Sequence, residues 1–254
     1  MSDQIIFLGT GGARVLVFKQ LLASGGLWIE MGDTRVHLDP GPGALVQATK
    51  RKLDPTKLDA VVLSHRHLDH SADVNVMIEA MTTGGFNRRG LVFAPKDAYE
   101  DDPVILHYLR SYVRETHVIE EGGEYEVGDI RFRAPVRHDH PGEVYGLVFE
   151  SPAYRWSYIA DTRYFPELAD HYRADVIIMH TVRLEESEIY HLSIPDAKRL
   201  IEAIRPQKAV ITHFGMTIWR AKPWLVAERL TQETGIEVVA ARDGMKLPLP
   251  GGAP

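Results

Sequence analysis

The sequence contains no cysteine. Disulfides, iron–sulfur clusters and thiolate zinc sites are therefore excluded, and any transition metal must be held by imidazole and carboxylate. No apolar run is long enough to span a bilayer. Met1-Ser2-Asp3-Gln4 leads directly into Ile5-Ile6-Phe7-Leu8, without the basic segment, long apolar stretch or small-residue cleavage site of a secretory leader. These features predict a soluble, cytoplasmic chain with no membrane partner. A basic excess is missing too. Lys and Arg number 29 against 35 Asp and Glu, for a formal charge of −6. A nucleic-acid partner is therefore not expected for the chain as a whole.

Histidine, by contrast, is plentiful, with 12 in 254 residues. That length fits one large domain or two small ones, with ample core. Short apolar runs alternate with turn residues. Residues 5–8 read as a buried strand ending in Gly9-Thr10-Gly11-Gly12, and 27–31 with 35–38 as a hairpin through Gly32-Asp33. Strands are also predicted at 60–63, 91–94, 144–149, 157–160, 176–179 and 209–212, with a hairpin over 125–133. Apolar spacing predicts helices over 44–52, 72–81, 103–114 and 225–233. Ser193-Ile194-Pro195-Asp196 has the make-up of a helix start, a serine cap followed by proline and an acid, and the helix is predicted to run to Ile204. A last strand pair is predicted over 238–247, turning at Asp243-Gly244. No shift in composition marks a linker, so residues 1–254 are read as one domain of stacked sheets covered by helices.

The densest chemistry is His65-Arg66-His67-Leu68-Asp69-His70, directly after a predicted strand. A single tetrahedral site uses about three protein ligands and water. Four candidate ligands in one short segment, with more elsewhere, point to two ions. The others recur where predicted strands end: Asp39, His138 and His140, Asp161, His180 and His213. Ligands in α/β architectures gather beyond the carboxyl ends of strands. Singly, each of these is more often a cap or turn residue.

Taken in order, Asp39, the His65–His70 cluster, a later histidine, Asp161 and His213 make the chain resemble the metallo-β-lactamase superfamily along nearly its whole length. Residues 7–12 resemble the first strand and loop of its phosphodiesterase branch. The resemblance implies the α/β class and a four-layer αββα sandwich. It also implies two divalent ions, zinc first, with manganese or iron as alternatives. By position, His65, His67 and His140 hold one ion, Asp69, His70 and His213 the other, and Asp161 bridges them. Asp39 orients ligands from behind. His138 competes with His140, which the distance to Gly146 favours. His138, Arg163 and His180 are candidates for substrate contact.

Two ions about 3.5–4 Å apart bridge a water and lower its pKa, supplying hydroxide at neutral pH. Asp69 is then both a ligand and the residue that orients the nucleophile. A second motif, His191-Leu192-Ser193-Ile194-Pro195-Asp196, precedes a helix, a strand and Thr212-His213-Phe214. It resembles the tRNA 3′-processing endonucleases and the cyclic phosphodiesterases of phosphonate catabolism, and it implies a catalytic His191 that contacts phosphate or protonates the leaving oxygen. The RNA-gripping arm of the endonucleases does not fit between His140 and Asp161, which have only 20 residues between them. The cyclic phosphodiesterases carry cysteine ligands to an extra zinc, absent here. The expected activity is hydrolysis of a small or cyclic phosphate ester, with a small molecule as partner and a homodimer left open. The alternatives are a lactonase or other carboxyl-ester or amide hydrolase, and a non-enzymatic or redox metal-binding protein.

Overall fold

A computed structural model describes residues 3–100 and 102–250. The first sheet contains β1 (Gln4–Phe7), β2 (Leu27–Met31), β3 (Thr34–Leu38), β4 (Ala60–Val62), β5 (Leu91–Pro95) and β6 (Glu115–Ile119) in that order, with β15 (Lys246–Pro248) beyond β1. The second contains β7 (Gly123–Val127), β8 (Ile130–Ala134), β9 (Leu147–Glu150), β10 (Arg155–Ile159), β11 (Val176–Arg183), β13 (Lys208–Thr212) and β14 (Glu237–Ala240), with the two-residue β12 (Leu192–Ser193) alongside β11. The helices are α1 (Ala13–Phe18), α2 (Ala44–Lys50), α3 (Leu68–Ser71), α4 (Val74–Met81), α5 (Leu168–His171), α6 (Ile194–Ile204), α7 (Met216–Arg220) and α8 (Pro223–Thr234).

Strand periodicity builds the layers. Ile5 and Phe7 of β1 and Trp156 and Tyr158 of β10 meet between the sheets. Their neighbours Ile6 and Leu8 face the core under α4, while Ile159 faces the core under α6 and α8. Successive side chains leave a strand on opposite faces. Where both faces are covered, the strand reads as an unbroken apolar run rather than an alternating one. The sheets therefore pack face to face with helices outside, in the four-layer αββα sandwich. Phe149 and Trp156 stack at 4.0 Å in the middle layer, a contact worth about 0.5–1.5 kcal/mol beyond area burial.

α6 starts as its sequence predicts: Ser193 Oγ accepts from the Asp196 amide, and the Ser193 amide donates to Asp196 Oδ2 at 2.9 Å. Three expectations change. Residues 103–114 hold only a 3-10 segment, His107–Ser111. Ile105, Leu109 and Val113 are buried at helical spacing, but residues 102–106 bend without forming helical turns and Arg110 occupies the carbonyls of Tyr99 and Ile105. The strands of 238–247 do not pair with each other. β14 runs parallel to β13, whereas β15 runs antiparallel to β1 in the other sheet. Strand β11 continues past Met179 through His180 to Arg183.

Candidate metal centre

Local backbone aims the polar side chains at one end of the sandwich. β4 ends at Val62, and residues 63–67 turn into α3, so His65 and His67 precede the helix while Asp69 and His70 lie in its first turn. Asp39 directly follows β3 and His213 directly follows β13, with φ of 53° and 58°. This left-handed conformation is strained for a residue other than glycine and is retained mostly at functional sites. Gly12 makes room for His213, since a Cβ there would lie 2.1 Å from the His213 Nδ1. The Gly9–Gly12 loop is thus a backbone wall against that ring, tied down by the Phe214 amide on the Thr10 carbonyl at 2.8 Å. His191 is set by β12, whose Leu192 pairs with Thr181 of β11.

Three overlapping donor groups result. Ring nitrogens of His65, His67 and His140 lie within 4.8 Å of one another, as do those of His70, His180 and His213 with an Asp161 carboxylate oxygen, and those of His140 and His191 with Asp161. Asp161 belongs to two of them. Its Oδ2 lies 3.9 Å from His65 Nε2, 3.5 Å from His70 Nε2 and 3.5 Å from His191 Nδ1. Asp69 Oδ2 lies 3.4 Å from His213 Nε2. On the outside, Asp39 collects the Ser64 amide and hydroxyl, the Tyr158 hydroxyl and the His70 Nδ1, all within 3.1 Å. His140 donates from Nδ1 to the Tyr190 carbonyl at 2.6 Å, which leaves Nε2 facing His67 Nδ1 at 3.3 Å.

These residues fit a pair of cations. His65 Nε2, His70 Nε2 and both ring nitrogens of His213 are buried without a hydrogen-bond partner. Orphaned buried nitrogens are costly, and a bound ion satisfies them. Burial holds His65, His67 and His140 below the usual imidazole range, and so in the neutral form that ligation needs. Burial pushes the Asp161 carboxyl up, yet the facing His213 and His191 hold it well below the usual carboxylate range. His70 is the exception. Burial pushes it down, but Asp69, Asp161 and Asp39 together hold it well above its usual value. Three carboxylates therefore draw positive charge to the place where a cation would sit. Asp39→Asn is expected to weaken metal retention about 10–100-fold, read by chelator competition. Unchanged retention would refute its role in orienting His70.

Of the three residues expected at the substrate, His138 and His180 are buried and Arg163 is held by its neighbours. Both ring nitrogens of His138 are engaged, by the Asp161 carbonyl and the Tyr172 hydroxyl at 3.2 and 2.7 Å. Of the two competing histidines, His140 is the one that joins His65 and His67. His180 is buried in β11 with Nδ1 2.9 Å from Asp161 Oδ1, and it stacks on His213 at 4.2 Å. Arg163 lies over the Tyr190 ring at 4.1 Å. None of the three lines the open cavity of about 1040 Å³ beside the site, which His67, Asp69, His140, Asp161 and His191 do line. Tyr158 and Ser64 were not foreseen. Tyr158 lies in an apolar run and carries no sign that its hydroxyl ends on a carboxylate.

The family model described as the beta-lactamase superfamily domain matches residues 34–214. An uncharacterized protein of Methanocaldococcus jannaschii is 33% identical, with 99% of this chain and 97% of that protein covered. Ribonuclease Z of Thermococcus sibiricus is 29% identical over 58% of this chain, which spans only 47% of that enzyme. Among solved structures, the metallo-beta-lactamase fold protein YhfI of Bacillus subtilis superposes with a TM-score of 0.82 at 18% identity, covering 97% of this chain and 99% of that one. A diphosphatase of the PhnP family does so with 0.74 at 19% identity, covering 98% of each. Likeness at these identities establishes the fold alone.

Proposed function

Because the chain belongs to the β-lactamase superfamily, we propose that it is a metal-dependent hydrolase, and specifically a phosphodiesterase for a small or cyclic phosphate ester. In this reading residues 1–254 form one hydrolase domain. His65, His67 and His140 would hold one ion, and Asp69, His70 and His213 the other. Asp161, facing both groups, would serve each. Two divalent ions, when bound, polarise the ester and acidify the attacking water.

The observation that carries the phosphodiester reading is His191. Its ring lines the open cavity and lies 3.5 Å from Asp161 Oδ2 without hydrogen-bond geometry. Burial pushes this imidazole down, but the charges of Asp161 and Asp69 more than reverse the effect and hold it above its usual value. A protonated imidazole beside the reacting centre suits an alkoxide leaving group. Hydroxide oxygen bonds to phosphorus, the ester P–O bond breaks, Asp69 orients the nucleophile, and protonated His191 gives its proton to the departing oxygen. The structurally similar PhnP-family protein is a diphosphatase, which supports phosphate chemistry here. Residues 151–154 alone join β9 to β10, which leaves no arm for gripping RNA and supports a small substrate over that of the ribonuclease Z relatives.

Bis-p-nitrophenyl phosphate, cyclic nucleotides and lactones, offered to the metal-loaded protein, decide the class. Turnover of the diesters is expected. Lactone turnover without diester turnover sinks the reading.

A further inference from the structure

Exposed apolar side chains converge on one place. Val15 and Phe18 of α1, Leu68 of α3, and Ile189 and Tyr190 are 38, 69, 71, 38 and 41% exposed, and all five line the cavity beside the metal centre. Single exposed apolar residues are ordinary, but a group gathered around a cavity marks a binding surface. All of α1 contributes to this wall, although only its Leu16 is buried. The helix therefore adds little to the core and much to the cavity.

The opposite wall is braced. Arg163 lies over the Tyr190 ring and donates from Nη2 to the Glu188 carbonyl at 2.7 Å. The Tyr190 carbonyl in turn holds His140. The apolar rim and a nitrogen donor of the centre are thus one connected piece. Arg14 and Arg183 also line the cavity, and among the described residues neither is in an ion pair. Outside the metal centre they outnumber the single lining carboxylate, Glu188. The cavity accordingly favours a ligand that is apolar in body and negative in charge.

Resting on the phosphodiesterase reading, we propose that the substrate is an anionic phosphate ester whose organic group is apolar, aryl or long-chain alkyl. That group seats between α1 and residues 189–190, with Phe18 and Leu68 as its main contacts. Arg14 and Arg183 favour the negative charge.

The test is calorimetric titration of the metal-loaded protein with methyl-, butyl- and octylphosphonate, none of which can be hydrolysed as an ester. Octylphosphonate is expected to bind at least about tenfold more tightly than methylphosphonate, the scale of discrimination an apolar pocket provides. Phe18→Ser and Leu68→Ser are each expected to lower that ratio, and together to bring it near one. Phe86→Ser, at a residue 95% exposed but outside the cavity, is expected to keep it. Equal affinities in the unaltered protein, or a ratio that survives the double substitution, overturn the proposal. The result stands apart from turnover. Tight octylphosphonate binding without diester cleavage removes the reaction class and keeps the apolar subsite. Cleavage without chain-length preference does the reverse.

Discussion

Asp161→Ala is expected to lose both ions and to lower turnover at least about 10³-fold, the scale on which loss of even one oxyanion donor is felt. The expectation follows from position. One carboxylate oxygen lies within 3.9 Å of His65, His70 and His191, and the other accepts from His180 at 2.9 Å and lies 3.4 Å from His213. Removing it takes away the carboxylate that faces both His65 and the His70–His213 pair, so the counter-charge and a donor oxygen are lost on both sides at once. His67→Ala should behave differently. His67 belongs to one donor group only and is half-buried, so one ion should be lost and the other kept. Metal content per chain by plasma mass spectrometry, with a thermal melt to show that the variants fold, separates the two. Two ions retained in Asp161→Ala, with turnover within tenfold of the parent, would remove Asp161 from the centre.

The parts of the site that the sequence discloses share one cause. A β-strand that stops releases its next side chain into the open end of the sandwich, so a polar residue after an apolar run is visible as punctuation. His65, Asp39, Asp161 and His213 were readable in this way. His180 follows an apolar run too, but β11 continues through it to Arg183, and its ring joins His70, Asp161 and His213 in the buried centre. Tyr158 gave no signal, because a hydroxyl at the tip of a core aromatic changes no pattern of hydrophobicity. The fold shows the same division. Alternation located the strands and their faces, but not their partners. Residues 238–247 contain two strands and a turn at Asp243-Gly244, yet the Gly244 amide donates to the Phe7 carbonyl at 2.7 Å, and the chain crosses between sheets there. β6 was invisible for another reason. It is an edge strand with mostly outward polar residues, and neither apolar run nor turn dipeptide frames it.

His191→Ala is the variant that tests the chemistry itself. Both ions should remain, and turnover should fall about 10²–10⁴-fold for esters with alkyl alcohol leaving groups. The fall should be far smaller for p-nitrophenol, which departs without a proton. The reason is again local. His191 Nδ1 is buried without a partner and lies near Asp161 Oδ2, and although burial pushes the ring down, Asp161 and Asp69 hold it above its usual value. A general acid works only below its pKa, so the parent protein should lose activity on the alkaline side, and the variant should lose that limb of its pH profile. A competing role is written in the same geometry. His140, Asp161 and His191 also offer donor atoms within 4.8 Å of one another, so His191 is placed to bind an ion as well as to give a proton. Metal content decides between them. Loss of an ion in His191→Ala, with equal slowing of good and poor leaving groups, makes it a ligand. Full metal content with a leaving-group-dependent defect makes it the acid, and ties phosphate ester cleavage to a histidine that lines the open cavity.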